Sequence, residues 1–591
     1  MHVDPVDPAV RGRAVAAAQG GEPFDLLLTG GTLVDVGCGE LRAADIGIVG
    51  PLVASVHEPG SRTDALDALD CTGRFVAPGL IDLHVHFESS MLTPGGYAEA
   101  VCPRGTTTVF ADPHELANVC GVAGVRYAVE ASRGLPVRFV VQAPSCVPPQ
   151  PGLELSGADL YRPDIERMLA WPEVGGLAEV MDMLGVLSAD DRMVGVVAAG
   201  LASGKLVSGH AAGLNGAALQ AYLSAGMTSE HEIFTEPDCL EKLRSGMTVE
   251  LRGALDAILP GIVAEVNQLP IPPTHLVAAT DDLFALTLLE EGGLDHLLRR
   301  LIAYGMDPLL AFRCATYHSA YRLQRADLGL VAAGRRADVI VLDDLEQVAV
   351  NEVFVGGRQV AARGRMLVDV VEGPSDPPVD TMKLAPLASD DFLLRLDAPD
   401  GTHRMRVIAD AVMTRWDETT VDVRGGVVDI PAGHLVQVTV HRHGRIEPRP
   451  QAALLAGWGD WTGAVATTVA HDTHNLVVFG RDPDDMALAA NTVIASGGGV
   501  AVTSGGAVVA AMALPIAGIL SPLPAAEVAA AQRAVQDAAL AVGLTSSSTM
   551  LTQPLFQVML SSLACLPGPH VTDVGLIDGT TGELVPSALI S

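Results

Sequence analysis

The middle of the chain, from about residue 76 to residue 330, repeats one pattern eight times: a short apolar run and then a helical stretch. The apolar runs are GLIDLHVH, TTTVFADPHE, VRFVVQAPS, VGGLAEVMD, KLVSGHA, GMTSEHE, GMTVELR and THLVAATDD. Short apolar runs separated by helices are typical of buried parallel strands, and eight such units in about 250 residues match the size of a (β/α)8 barrel. The sequence therefore predicts an α/β fold with a TIM-like barrel, whose functional residues would lie at the carboxyl ends of the strands.

Segments rich in β-forming residues flank this predicted barrel on both sides. Residues 25–75 alternate short strands with glycine turns, and the same texture returns in residues 337–370. We expect these two flanks to pair into one composite small β domain. Beyond residue 385 the chain mixes strands with helices, which predicts a C-terminal α+β domain. The predicted domains are residues 1–75, 76–330, 331–384 and 385–591.

Charge and cysteine content limit the possible partners. With 591 residues and a formal net charge of −33, the chain would repel nucleic-acid phosphates and anionic membranes, so we expect neither as a partner. The eight cysteines include no CxxC pair, which argues against a disulfide framework and against a thiolate zinc site. The N-terminal segment has no apolar signal-peptide core, and glycine, serine and proline interrupt the apolar stretch 497–523. We expect that stretch to form a buried strand, a turn and a strand rather than a membrane span, and we expect a cytoplasmic protein.

Metal-ligand residue types follow the apolar runs at the predicted rim of the barrel. His84 and His86 stand two residues apart on the first strand, so both imidazoles point to the same side of the strand. Each such residue alone is more often a core histidine or a surface acid, but six of them at one rim favour a metal site. Four imidazoles and two carboxylates suit two divalent first-row ions, with one carboxylate bridging them. The six predicted ligands are His84, His86, Glu179, His210, His231 and Asp281.

Such a metal pair predicts hydrolytic chemistry. Coordination lowers the pKa of water from ~16 towards ~7, so a pair of ions can hold a hydroxide at neutral pH. Asp281 would take the proton of this nucleophile and deliver it to a leaving nitrogen. His231 is a candidate for polarising the electrophile. Other catalytic patterns are absent from the chain: HExxH, the Walker P-loop, GxSxG, and HxE followed by PCxxC.

Longer motifs resemble the amidohydrolase superfamily and, within it, the adenine deaminases. The barrel carries HVHFESSMLTP, RGTTTVFADPHELANVCG, APSCVP, GLAEVMDMLGV, GHAAGLNG, SEHE and TDD. GLVAAGRRADVIVLDDL looks like the segment by which amidohydrolases re-enter their β domain. HDTHNLVVFGRDPDDMALAANTVIASGGG and LPIAGILS are similar to the C-terminal domain of adenine deaminases. The resemblance covers nearly the whole chain.

This resemblance implies the hydrolysis of adenine to hypoxanthine and ammonia on a binuclear centre of manganese, iron or zinc. By position, His84 and His86 would hold one metal with Asp281, and His210 and His231 would hold the other. Glu179 would bridge the two metals. The implied partners are a small purine substrate and water.

Attack on the ring also needs a proton on a ring nitrogen, because negative charge would otherwise build up on the purine. Adenosine deaminases supply it from a glutamate three residues after the histidine of strand five, a position that is Gly213 here. The donor must lie elsewhere, and the candidates are Glu88, Asp112, Glu115 and Glu232. Hydrogen bonding to loop backbone is an equally good account of each, and His114 would either orient one of these acids or cap a helix. We predict Asp281, Glu88 and Glu232 as catalytic residues and Asp112, His114 and Glu115 as substrate-binding residues.

Several positions depart from the usual adenine deaminase pattern and leave alternatives open. The chain has SGHAAG, Ala279 before TDD, SEHE and LRGA, where the family usually has DGHAPG, a cysteine, SDHE and a stretch like REGS. One alternative is an amidohydrolase that acts on another cyclic amidine or amide, such as a modified purine. The other is a catalytically silent paralogue that binds a purine.

The C-terminal region is predicted to cover the barrel or to mediate a homodimer. Within it, HDTHN contains His471 and His474, which invites a metal interpretation. The neighbouring Asp472 and Asn475 are common turn residues, so the sequence favours a surface turn.

Overall fold

The structure, a computed structural model, describes residues 5–411, 413–545 and 554–590.

The N-terminal flank begins a small sheet. Strand β1 pairs with β2 antiparallel and with β4 and β5 in parallel, and β2 pairs with β3 antiparallel. The elements of this flank are α1 (Pro8–Ala18), β1 (Phe24–Asp35), β2 (Glu40–Val49), β3 (Leu52–His57), β4 (Ala65–Asp70) and β5 (Phe75–Pro78).

The eight apolar runs of the middle segment form the strands of a barrel. They are β6 (Leu80–His86), β7 (Thr106–Ala111), β8 (Arg138–Ala143), β9 (Val174–Val180), β10 (Leu206–Gly209), β11 (Ser229–Glu230), β12 (Thr248–Arg252) and the eighth strand, which Thr280 divides into β13 (Leu276–Ala279) and β14 (Asp281–Asp282). The pairings are parallel, and β14 returns to pair with β6. Between β10 and β11 the amide of Thr228 donates to the carbonyl of Val207 (3.1 Å). The barrel is therefore closed, as the sequence predicts.

Helices on the outside of the barrel connect these strands. Side-chain caps begin several of them, since Asp190, Thr235 and Asp307 accept amide hydrogen bonds from the first turns of the helices that begin one residue later. The helices are α2 (Pro94–Val101), α3 (His114–Cys120), α4 (Val122–Ala131), α5 (Arg162–Leu169), α6 (Met183–Leu187), α7 (Asp191–Ala202), α8 (Gly216–Ala225), α9 (Glu236–Arg244), α10 (Leu259–Asn267), α11 (Ala285–Glu290), α12 (Leu294–Ala303), α13 (Pro308–Cys314) and α14 (Tyr317–Arg322). Because helices cover the outside, all residues of β6 and β7 are buried, which explains their continuous apolar character.

After the barrel the chain returns to the small sheet. Strand β15 pairs antiparallel with β5, and β16, β17 and β18 extend the same sheet. Both flanks thus build one nine-stranded sheet, which confirms the predicted composite β domain. The returning strands are β15 (Val339–Asp344), β16 (Ala349–Val355), β17 (Arg358–Ala362) and β18 (Arg365–Met366).

The C-terminal region is an α+β domain. Its main sheet has nine strands, and a three-stranded sheet follows it. The strands are β19 (Gly401–Ala409), β20 (Arg415–Arg424), β21 (Val427–Asp429), β22 (His434–Val440), β23 (Gln451–Ala456), β24 (Ala464–Thr467), β25 (Leu476–Gly480), β26 (Gly499–Ser504), β27 (Ala507–Ala513), β28 (Pro569–Thr572), β29 (Gly575–Asp578) and β30 (Glu583–Leu584). The helices are α15 (Pro483–Ala495), α16 (Ala525–Ala541) and α17 (Pro554–Leu560).

This domain packs against the barrel, as the sequence predicts for one of its two possible roles. Gln532 of α16 accepts a hydrogen bond from the amide of Leu286 (2.9 Å) and donates one to the carbonyl of Ser90 (3.0 Å). The apolar stretch 497–523 contains the antiparallel pair β26 and β27, which confirms the predicted strand, turn and strand. The predicted burial was wrong for β27, which is mostly exposed because it is the edge strand of its sheet. Among the described residues, no helix is both long and apolar enough to cross a membrane.

One buried side chain joins the first and the last strand of the barrel. Asp82 of β6 accepts hydrogen bonds from the amide (3.0 Å) and the hydroxyl (2.6 Å) of Thr280. Burial raises the pKa of Asp82 to about 7, although the two bonds from Thr280 act in the opposite direction. This contact holds Thr280 against β6, so it positions the next residue, Asp281, at the rim.

We expect the substitution Asp82→Ala to lower the free energy of unfolding by about 1–3 kcal/mol, because the buried amide and hydroxyl of Thr280 lose their acceptor. Asp82→Asn keeps an acceptor and is neutral, so it should lose less than half as much. Denaturant unfolding followed by tryptophan fluorescence measures both values. Equal losses in the two variants would contradict the role given to these hydrogen bonds.

Candidate metal centre and active site

The two histidines of β6 converge at the rim of the barrel. Their Nε2 atoms lie 2.9 Å apart, as expected for side chains two residues apart on one strand. The Nδ1 of His86 lies 3.0 Å from the main-chain oxygen of Asp112. A carbonyl oxygen only accepts hydrogen bonds, so Nδ1 carries the proton and Nε2 keeps its lone pair for the site.

Glu179, at the end of β9, lies between imidazoles of three other strands. Its Oε1 lies 3.1 Å from Nε2 of His86. Its Oε2 lies 2.6 Å from Nδ1 of His210 and 3.2 Å from Nε2 of His231. The two carboxylate oxygens therefore face different groups of imidazoles, which is the arrangement that a bridging carboxylate requires.

Asp281 completes the cluster from the eighth strand. Its Oδ1 lies 3.4 Å from Nε2 of His84 and 3.3 Å from Nε2 of His86. Its φ of 59° is in the left-handed region, an unusual conformation for a residue other than glycine and one that is often found at functional sites. The structure thus brings together all six residues that the sequence predicts as metal ligands, and each is at most 6% exposed.

Opposite charges keep the two carboxylates ionised. Burial alone would raise the pKa of Glu179, but the charge of His231 and the hydrogen bond from His210 hold that pKa well below its ordinary value. Burial alone would also raise the pKa of Asp281, but the Arg252 guanidinium holds that pKa well below its ordinary value. Both side chains are therefore anionic and able to bind a cation.

The cluster fits divalent metal ions. Glu179, His210 and His231 offer ligand atoms within 4.8 Å of one another, and so do His84, His231 and Asp281. A mixed set of imidazole nitrogens and carboxylate oxygens suits first-row divalent ions. All of these side chains are buried, whereas acidic clusters without a metal are usually solvated at the surface.

A further histidine and aspartate border this cluster. Nδ1 of His114 lies 3.2 Å from Oδ2 of Asp112 and 3.4 Å from Oε1 of Glu179. Together with His86, these three residues form another group whose ligand atoms lie within 4.8 Å of one another. His114 begins α3, directly after β7, so the rim of the second strand also contributes to the site.

A cavity of about 190 Å³ opens onto these residues. Five of the six predicted ligands line it, together with His114 and Glu232. Its opposite wall comes from the C-terminal domain and is largely apolar, with Phe556, Leu560, Leu563 and Pro567. Met413, His471, Asp472 and Cys565 of the same domain also line it.

Three of the six residues predicted as catalytic or substrate-binding do not line this cavity. Glu88, Asp112 and Glu115 are 0% exposed. Burial and the neighbouring Glu115 raise the pKa of Glu88 well above its ordinary value. The hydroxyl of Ser89 donates to Glu115 (2.5 Å). The catalytic role of Glu88 and the substrate contacts of Asp112 and Glu115 stay predictions.

Strand β12 supplies two charged residues to the site that the sequence patterns do not predict there. Arg252 forms ion pairs with both Asp281 and Glu232. Oε2 of Glu250 lies 3.9 Å from Nδ1 of His84 and 3.7 Å from Nδ1 of His231. The signal was present in the sequence, because Glu250 and Arg252 stand two residues apart on a buried strand and share one face.

The segment HDTHN is not a surface turn, so this prediction was wrong. His471 and Asp472 are 3% and 2% exposed, and His474 is 0% exposed. The C-terminal domain places this loop directly on the barrel rim, where Nδ1 of His471 lies 3.7 Å from Oε1 of Glu115. Turn-forming residues predict a change of chain direction, but they do not predict which other domain covers the turn.

Comparisons with known proteins agree with this geometry. The chain is 53% identical over 582 residues to the adenine deaminase of Klebsiella pneumoniae (strain 342), a match that covers 98% of this chain and 95% of that protein. The chain belongs to the adenine deaminase family. It is also 52% identical to the adenine deaminase of Serratia proteamaculans over 97% of this chain and 96% of that protein. Adenine deaminase 2 of Rhizobium meliloti is 49% identical over 99% of this chain and 98% of its own length.

Family models match two regions of the chain. Residues 75–360 match the amidohydrolase family, and residues 411–583 match the adenine deaminase C-terminal domain. The first region contains all six clustered ligands, and the second contains HDTHN and the apolar wall of the cavity. Amidohydrolase membership is consistent with the divalent-metal chemistry that the buried donor set favours.

We expect Glu179→Gln to weaken metal binding at least tenfold, since the amide loses the negative charge that faces both groups of imidazoles. Elemental analysis of the purified protein, and competition with a chelator, measure the effect. Glu173→Gln is the matched control, because Glu173 precedes the same strand and pairs with Arg133 on the outside. A Glu179→Gln protein with the full metal content of the wild type would contradict the assignment.

Proposed function

We propose that this protein hydrolyses adenine to hypoxanthine and ammonia with a centre of two divalent metal ions, of manganese, iron or zinc. The observation that carries the proposal is the convergence of four imidazoles and two carboxylates at the barrel rim. It occurs in a chain about half identical, over nearly its full length, to proteins named adenine deaminase.

The residues divide into two groups around Glu179. His84 and His86 would hold one ion together with Asp281, and His210 and His231 would hold the other. Glu179 would bind both ions, because its two oxygens face His86 on one side and His210 on the other. When bound, such ions act as Lewis acids that lower the pKa of a coordinated water from ~16 towards ~7.

Asp281 would move a proton between the nucleophile and the leaving nitrogen. Its Oδ1 faces the two imidazoles of β6, and Arg252 holds its Oδ2. The ion pair fixes the orientation of the carboxylate at the cavity wall. A base held in this way can accept a proton from the attacking water and return it to the departing amine.

Glu232 is the best-placed candidate for protonating the ring. Deamination at C6 moves negative charge onto the ring nitrogens unless one of them is protonated. Glu232 lines the cavity, whereas Glu88 lies behind it. Arg252 pairs with Glu232 as well as with Asp281, so one guanidinium positions both carboxylates. Glu232 would give its proton to a ring nitrogen during attack and take one back from the hydroxyl left on C6, as that hydroxyl becomes the carbonyl of the product.

The remainder of the cavity suits a flat heteroaromatic substrate. Its apolar wall includes Phe556, whose ring stacks on that of Phe284 with centroids 4.5 Å apart. Apolar walls with a few polar groups are typical of sites for small planar ligands. The C-terminal domain would therefore contribute to substrate binding in addition to covering the barrel.

We expect metal-loaded protein to release ammonia from adenine and to form hypoxanthine, and we expect a chelator to abolish both. Ammonia detection and the change in ultraviolet absorbance measure the reaction. A panel of other purines and cyclic amidines tests the alternative substrate class in the same assay. No turnover of adenine with any of the three metals, or faster turnover of another ring, would contradict the proposal.

We expect Asp281→Asn and Glu232→Gln each to lower kcat by about 10²–10⁴-fold, which is the usual contribution of a general acid or base. Glu88→Gln should lower kcat less than tenfold, because burial already favours the neutral form of Glu88 and the amide resembles it. Asp191→Asn, at the exposed start of α7, is the control. A larger loss from Glu88→Gln than from Glu232→Gln would transfer the role of ring donor to Glu88.

A further inference from the structure

The loop between β24 and β25 brings two metal-binding side chains to the barrel rim that the proposed reaction does not use. His471 and Asp472 belong to this loop, and both are almost fully buried. They meet His114, which belongs to the barrel. Their ligand atoms all lie within 4.8 Å of one another.

His114 has two different neighbourhoods. Its Nδ1 lies 3.2 Å from Asp112 and 3.4 Å from Glu179, on the side of the metal centre. Its Nε2 points away from that centre and lies 4.0 Å from Oδ1 of Asp472. The same Oδ1 lies 3.6 Å from Nδ1 of His471. The imidazole of His114 therefore separates the six-residue cluster from a second group of ligand atoms.

Several buried atoms of this second group have no hydrogen-bond partner among the described residues. They are Nε2 of His114, Nε2 of His471, Oδ2 of Asp472 and Oε2 of Glu115. A buried polar atom without a partner costs about 1–3 kcal/mol. Nε2 of His114 faces the Asp472 carboxylate, whereas Oε2 of Glu115 lies 3.5 Å from Nε2 of His474, so the unpartnered nitrogen of His114 is the atom that indicates a ligand between the barrel and the loop. Such a ligand must satisfy imidazole nitrogens and carboxylate oxygens together.

We propose that His114, His471 and Asp472 bind an additional divalent first-row cation, separate from the ions held around Glu179. Glu115 borders this group, because its Oε1 lies 3.7 Å from Nδ1 of His471 and accepts a hydrogen bond from the hydroxyl of Ser89. Two imidazoles and one carboxylate form a donor set that these cations accept, with water in the remaining position. The charged partners that the described chain offers these carboxylates are imidazoles, which are themselves metal ligands.

The cation would join two domains. His114 and Glu115 follow strand β7 of the barrel, whereas His471 and Asp472 belong to the C-terminal domain. Binding at this interface would hold the HDTHN loop in the wall of the cavity. It would also stabilise the assembled domains, since a ligand that binds only the native state raises the unfolding temperature.

Metal content of the full-length protein tests this assignment. After loading with Mn²⁺ and removal of free metal, we expect Asp472→Asn and His471→Asn to contain one ion per chain fewer than the wild type. Asp573→Asn is the matched control, because Asp573 is also a buried aspartate beside a histidine of the C-terminal domain, His441. It should keep the wild-type number of ions. Metal content is measured without adenine turnover, so this experiment can refute the additional cation site while the proposed reaction still holds.

Two results would overturn the site. One is an unchanged metal content in both loop variants, and the other is an equal loss in Asp573→Asn, which would attribute the missing ion to general destabilisation of the domain. If the loop variants do not fold, anomalous diffraction from Mn²⁺-loaded wild-type crystals decides. A peak about 2.0–2.2 Å from Nε2 of His114 and from the Asp472 carboxylate is expected. No peak there, or a purine ring in contact with these atoms instead, would refute the proposal.

Discussion

A buried carboxylate surrounded by imidazoles is the interaction on which the site depends. Glu179 is 2% exposed, and an isolated anion at such a position would be neutralised, because burial disfavours its charged form. It stays ionised because of the charge of His231 and the hydrogen bond from His210. These groups belong to different parts of the barrel rim, so the charge of one side chain is maintained by the closure of the barrel.

Barrel closure also positions the second carboxylate. The hydrogen bonds between Asp82 and Thr280 tie the eighth strand to the first, and Asp281 follows directly with a left-handed backbone conformation. Arg252 then orients this aspartate and connects it to Glu232 across the cavity wall. A scaffold of buried strands therefore determines the directions of the acidic side chains, and little of that precision is left to flexible loops. The C-terminal domain closes the remaining side with an apolar surface.

Periodicity accounts for what the sequence predicts correctly. Eight apolar runs separated by helical patterns predict the barrel, and the two β-rich flanks predict the composite sheet. The sequence predicts that the two histidines of β6 point into one site, because residues two apart on a strand share a face. The other ligands could be placed because they follow apolar runs, and the ends of parallel strands meet at one rim.

The errors and omissions concern contacts between distant segments. HDTHN was expected at the surface because its residues favour turns, but another domain covers that turn. Glu250 and Arg252 were not assigned to the site, since a charged residue on a strand does not reveal which imidazole or carboxylate it will face. Glu88, Asp112, Glu115 and Glu232 are equal candidates for the ring-proton donor in the sequence, and only the tertiary structure distinguishes Glu232, which lines the cavity, from the other three.

Local order along the chain was therefore determined by the sequence itself: which segments are strands, which are helices, and which ligand types stand at strand ends. Those properties depend on neighbouring residues and on the repeat of apolar side chains. The tertiary structure decided which polar groups are buried together, which acid reaches the cavity, and how the C-terminal domain meets the barrel. Burial and charge compensation depend on groups hundreds of residues away, and no local pattern specifies those partners.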